Sequence, residues 1–159
     1  MLPDLIEIVP PERPVVSTVV LPGSKSLTNR ALILAALARN PVTLRGALWS
    51  EDTQAMVDCL KRLGFGVRVE EDPAEPANRT LIVQGGGGRI PKAGTPDQPI
   101  ELFVENAGTA ARFLAPFLCL GHGSYRLSGI PRMHQRPQAA LVQGCRCGRK
   151  TCLWTGSGK

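Results

Sequence analysis

Ser24, Lys25, Ser26, Thr28, Asn29 and Arg30 crowd the seven residues that follow Pro22-Gly23, at the mouth of an apolar segment. Two more stretches concentrate polar side chains in the same way: Asn106-Ala107-Gly108-Thr109 with Arg112, and Arg132 with Arg136. A helix that starts behind such a loop turns free N–H groups and the positive end of its dipole toward the loop. A neighbouring Lys or Arg adds a full charge and charge-assisted hydrogen bonds. Three loops of this kind brought together would hold a ligand carrying several phosphate or carboxylate groups. Each alone also has a plainer reading. Ser24 or Ser26 is equally a helix cap, Gly108 a turn glycine, Thr109 a cap and Arg112 a solvated side chain. Arg132, His134 and Arg136 equally make an exposed polar connector.

The elements that would position these loops follow from punctuation and periodicity. Leu5–Val9 and Val15–Leu21 read as short strands around a proline-rich turn, closed by Pro22-Gly23. Leu27, Ala31, Leu34, Ala35 and Ala38 recur at helical spacing, and Asn40-Pro41 stops that helix. PVTLRGAL is a strand. Ser50 then caps a helix with Glu51 and Asp52 in its first turn and Lys61-Arg62 in its last, before Gly64. FGVRVE and RTLIVQG alternate as strands, and GGGGRIP reads as a flexible connector. The pattern then restarts, with a strand in ELFVE, a tight turn at Asn106-Ala107-Gly108, an apolar helix, the strand SYRLSGI and the polar loop PRMHQRP. The class is mixed α and β, built from duplicated units.

Composition narrows the function classes. The 159-residue chain has enough apolar content for a core, and its longest apolar run, Ala31 to Ala38, is too short to cross a bilayer. No secretory signal opens it, and the expected setting is the cytoplasm. The net charge of +6 is concentrated late, in Arg146, Arg149, Lys150 and Lys159, with no basic run interleaved with aromatics. Nucleic acid is therefore not the expected partner, and neither is a membrane. Cys59 and Cys119 sit in apolar helical settings, while Cys145, Cys147 and Cys152 match no common zinc spacing, so no metal site is read. TGSGK lacks the glycine a phosphate loop needs where Leu153 stands, and GGGGR lacks the strand-to-helix setting of a dinucleotide fingerprint.

Taken in order, LPGSKSLTNRALILAALA, ENAGTAARF and GIPRMHQRP resemble the N-terminal part of the 5-enolpyruvylshikimate-3-phosphate synthases, over roughly residues 5–142. The sister enolpyruvyl transferases acting on UDP-N-acetylglucosamine normally carry Lys-Asn after the first glycine turn. Here Lys25-Ser26 is followed by Asn29-Arg30, which favours the shikimate branch. The resemblance implies repeated βαβαββ units of the enolpyruvyl transferase fold, an inside-out α/β barrel that is incomplete here. Residues 1–20 would belong to the other domain, 21–142 would form about two units of the substrate-binding domain, and 143–159 would be an atypical basic, Cys-rich tail. That tail has the composition of an off-frame or truncated reading.

The resemblance further implies transfer of the enolpyruvyl group of phosphoenolpyruvate to the 5-hydroxyl of shikimate 3-phosphate, with release of phosphate. No metal or organic cofactor is implied, and relatives are monomers. Lys25 would contact both substrates as the catalytic residue, Ser26 and Arg30 would hold shikimate 3-phosphate, Gly108 and Arg136 would bind phosphoenolpyruvate, and Asn106 and Thr109 would shape their loop. The alternative is an inactive fragment that keeps part of the anion site. A third reading makes the basic tail a nucleic-acid binding module. Glu105 stands where the family has glycine, and a carboxylate there opposes anion binding if it points inward. Phe113 stands where many members have proline, with altered sensitivity to the inhibitor glyphosate as the expected consequence.

Overall fold

The computed structural model describes residues 7, 9–146 and 152–154. Helix α1 spans Lys25–Leu37, strand β1 Val42–Leu48, helix α2 Glu51–Arg62, strand β2 Val67–Glu71 and strand β3 Asn78–Val83. A second run holds β4 Ile100–Phe103, α3 Gly108–Leu118, β5 Tyr125–Ser128, α4 Pro131–His134, α5 Ala139–Arg146 and β6 Cys152–Trp154. The first three strands form an antiparallel sheet in the order β1-β3-β2, with Val42 opposite Val83 and Leu48 opposite Asn78. The last three form a parallel sheet in the order β4-β5-β6, with Ile100 opposite Tyr125 and Leu127 opposite Trp154. The mixed α/β class expected from sequence is the class observed.

Helices α1, α2 and α3 pack on one another, the first sheet lies on α1 and α2, and the second on α2 and α3. One continuous apolar core results, from Leu32, Ala35 and Ala36 of α1 through Met56, Val57 and Leu60 of α2 to Ala110, Ala111 and Leu114 of α3. Burial at this density is the main favourable term for such a chain. Among the described residues no helix is long and apolar enough to cross a membrane.

The buried face of α1 differs from the one its leucines suggest. Thr28, Asn29, Leu32, Ala35 and Ala36 are buried, whereas Leu27 and Leu34 are 63% and 67% exposed. Polar residues fill its first turns and Leu, Ile and Ala make up the rest, so spacing alone does not choose a face. Thr28 helps to decide it, because its Oγ1 accepts the Leu48 N–H at 3.1 Å. GGGGRIP is likewise no loose connector. Gly86 and Gly87 donate N–H bonds of 2.8 Å to the carbonyls of Ala36 and Ala38, closing the C-terminal end of α1. A Cβ on Gly85 would strike the Ala38 carbonyl.

Further expectations change. Val15–Leu21 is not a strand, and Val16 is 97% exposed. No strand among the described residues pairs with it, and an extended segment without a ladder partner leaves its N–H groups to water. Of Leu5–Val9, only Glu7 and Val9 are described, and neither is in a strand. PRMHQRP is not all loop, because Pro131 opens the one-turn α4 at a position where its missing N–H costs nothing. Helix α5 runs on to Arg146, into the segment expected to be an atypical tail from residue 143. Cys147, Arg149, Lys150 and Lys159 lie outside the described residues.

Cys59 of α2 is fully buried, and its thiol points at the Phe103 carbonyl at 3.7 Å. Burial pushes its pKa up to about 12, with nearby Asp58 adding to the rise and Arg62 opposing it. The unfolded chain loses this proton near pH 9 and the folded chain keeps it. The contribution to stability is therefore complete below pH 9 and is lost as pH rises toward the folded value. Thermal unfolding measured between pH 8 and about pH 11 should show a steeper loss of stability for the native chain than for Cys59→Val. Equal slopes would contradict a buried, protonated thiol.

A candidate anion-binding site

The first polar loop is fixed from the end of β1. Gly23 N–H donates to Asn78 Oδ1 at 2.8 Å, and a Cβ on Gly23 would meet the Gly46 carbonyl and lie 2.7 Å from Leu48 N, so only glycine fits. One turn into α1, Thr28 Oγ1 accepts the Leu48 N–H at 3.1 Å. The Leu48 carbonyl in turn accepts from Thr53 Oγ1 at 2.7 Å, and Thr53 Oγ1 accepts the Ser50 N–H at 2.9 Å. Both α1 and α2 thus begin at the same strand end. Lys25, in the first turn of α1, meets Asp52, in the first turn of α2, with Nζ and Oδ2 3.1 Å apart.

The second and third loops are tied to each other by the parallel sheet. Val104 N–H donates to the Ser128 carbonyl at 2.8 Å, and Ile130 N–H to the Glu105 carbonyl at 3.0 Å. Glu105 itself takes φ 50°, a left-handed conformation that costs an ordinary L-residue about 1 kcal/mol and a glycine nothing. That accounts for the glycine the resemblance leads one to expect there. α3 follows with no side-chain cap at Ala107. Arg136 reaches back from beyond α4, its Nη2 donating to Asn106 Oδ1 at 2.9 Å while its Nη1 lies against Gly108 where a Cβ would otherwise sit.

A cavity of about 300 Å³ is lined by Lys25, Asp52, Asn106, Gly108, Thr109, Arg112, Arg136 and Gln138. Three cations face one carboxylate, and the uncapped start of α3 opens into its wall, so the cavity suits an anion. Of the residues expected from sequence, Lys25, Asn106, Gly108, Thr109 and Arg136 come together here. Ser26 and Arg30 do not line it. Ser26 is half-buried beside Lys25, and the exposed Arg30 lies on α1 with its guanidinium 5.7 Å from the centre of the Phe113 ring. Arg132 is exposed and outside the cavity, and His134 bonds the Gly129 carbonyl at 2.8 Å.

Two lining residues were not singled out from sequence. Asp52 read as a first-turn acid suited to the helix dipole, and only the shared strand end brings it to Lys25, 27 positions away. Gln138 carried no signal at all. Glu105 lines a separate cavity of about 450 Å³ with Glu51, Asp58 and Arg62, so its carboxylate does not face the anion site. No group of three or more metal-binding side chains occurs among the described residues.

Repeated βα units whose polar loops gather around a cationic cavity define an α/β protein with a candidate oxyanion site. The model of the EPSP synthase (3-phosphoshikimate 1-carboxyvinyltransferase) family matches residues 9–147. The chain belongs to that family. It is 51% identical over 147 residues to the 3-phosphoshikimate 1-carboxyvinyltransferase of Opitutus terrae, covering 91% of this chain and 32% of that protein. The enzyme of the same name from a Nostoc species is 45% identical over 139 residues, covering 87% and 30%. The chain thus spans about a third of the length of these relatives. A solved EPSP synthase from Acinetobacter baumannii shares the fold, with a TM-score of 0.65 at 22% identity over 87% of this chain and 29% of that one.

The Gly108 contact yields a direct test. Gly108→Ala should drive the Arg136 guanidinium away and break its bond to Asn106, lowering stability by about 1 kcal/mol. The Arg136 Nε–Hε resonance should move while amides of β1 and α2 stay in place. An unmoved Arg136 resonance would contradict the packing.

Proposed function

We propose that this chain carries the anion-binding part of an enolpyruvyl transferase, acting on phosphoenolpyruvate and shikimate 3-phosphate. The observation that supports it is the placing of Lys25, Gly108 and Arg136 around one cavity, together with membership of the family. In this reading Arg136 and the Gly108 backbone bind phosphoenolpyruvate, and Asn106 holds the Arg136 fork in place. Ser26 and Arg30 bind shikimate 3-phosphate on the neighbouring face of α1, with Phe113 supporting the Arg30 guanidinium. Thr109 shapes the start of α3.

Lys25 stands between the two groups and is the catalytic residue. The 5-hydroxyl gives up its proton as its oxygen bonds to C2 of phosphoenolpyruvate and the methylene carbon gains a proton, giving a tetrahedral ketal. Loss of phosphate and of a methyl proton then restores the double bond. Charge on the phosphate grows in that elimination, and the Lys25 ammonium stabilises it. An incoming oxyanion competes with Asp52 for Lys25, and the half-exposed ion pair is weak enough to open. Residues 21–142 are assigned to the substrate-binding domain and 1–20 to a second domain of a longer protein, with the cytoplasm as the setting.

Calorimetric titration of the chain with phosphoenolpyruvate tests this. Lys25→Ala and Arg136→Ala should each weaken binding about tenfold or more, as expected for loss of a charge-assisted contact. Unchanged affinity in both variants would contradict the reading.

A further inference from the structure

Gln138 is the one side chain of the cationic cavity whose hydrogen-bonding capacity is buried and unused. It lines the cavity beside Arg136, is only 6% exposed, and its Nε2 finds no partner among the described residues. A buried amide donor left without an acceptor is unfavourable, and such groups mark places where something else completes the bond. The neighbours are already engaged: the Asn106 amide oxygen accepts from Arg136, and Lys25 is paired with Asp52. The chain path brings Gln138 here. Arg136 precedes Pro137, which holds it away from helical conformation, so Arg136 and Gln138 lie two apart on a non-helical segment between α4 and α5 and line the same cavity.

We infer that Gln138 donates a hydrogen bond from Nε2 to an oxygen of the oxyanion that Arg136 binds. It is thus a further binding residue for the phosphoenolpyruvate end of the site. The inference rests on the proposed function. A neutral donor adds direction without more charge, in a cavity where three cations already face Asp52. The oxygen it meets belongs to either the phosphate or the carboxylate of the ligand, which share this chemistry and are separable by experiment.

The test is titration of the full chain with phosphoenolpyruvate, inorganic phosphate and pyruvate, in native, Gln138→Leu, Gln138→Glu and Arg136→Ala forms. Gln138→Leu should weaken phosphoenolpyruvate binding roughly tenfold, the loss typical of a hydrogen bond to a charged group. Gln138→Glu, which keeps the shape but faces the anion with a carboxylate, should weaken it further. A parallel loss for inorganic phosphate assigns the bond to the phosphate end, and one for pyruvate to the carboxylate end. If both Gln138 variants bind phosphoenolpyruvate as the native chain does while Arg136→Ala does not, the inference is overturned and the proposed function stands. If Arg136→Ala also binds normally, or the native chain binds none of the three, both fall. Should Gln138→Leu lose its dispersed amide spectrum, the shape-preserving Gln138→Glu decides alone, and native affinity there overturns the inference.

Discussion

One peptide unit orders the first half of the site. Leu48 gives its N–H to Thr28 of α1 and its carbonyl to Thr53 of α2, so two helix starts hang on the last residue of β1. Each bond is modest by itself, of order 1 kcal/mol, but both are partly buried and neither group has water as an easy substitute. Gly23 closes the arrangement by lying so near Gly46 and Leu48 that no side chain fits. The pairing of Lys25 with Asp52 follows from this geometry. The ion pair is half-exposed and contributes little to holding the helices. The strand end, rather than the ion pair, places the charges.

The second half repeats the logic with different hardware. A parallel sheet delivers the ends of β4 and β5 side by side, and the Glu105–Ile130 backbone bond fastens the Asn106 loop to the entry of α4. Arg136 is thereby brought onto Gly108, where absence of a side chain is what makes room for the guanidinium. The glycine has a packing role apart from the ligand role proposed for it. Because α1 packs against both α2 and α3, the two halves meet along one side of α1, with Lys25 at the seam.

Much of this was legible in the sequence where local chemistry and global structure agree. Ser50, Glu51-Asp52 and Lys61-Arg62 mark both ends of α2, and the two strands read from FGVRVE and RTLIVQG are present as β2 and β3. The three loops were identified by composition, and five of the seven expected site residues meet in one cavity. What was hidden depends on contacts distant in sequence. Thr28 is buried because a strand 20 residues away needs an acceptor, against the pull of Leu27 and Leu34. The GGGG run is packed because the carbonyls of α1 end beside it. Val15–Leu21 has strand composition, yet composition does not supply a pairing edge. Gln138 has no local signature, since its significance lies only in what surrounds it.

The account takes the face of α1 beside the cavity as the proposed shikimate 3-phosphate site. The most direct measurement is an amide proton–nitrogen correlation spectrum of the chain in reducing buffer, recorded alone and with shikimate 3-phosphate. The account predicts dispersed peaks whose shifts on addition centre on Lys25, Ser26 and Arg30, and which stay unshifted by the ligand in Arg30→Ala. A dispersed spectrum that ignores shikimate 3-phosphate, or responds identically in Arg30→Ala, would contradict it.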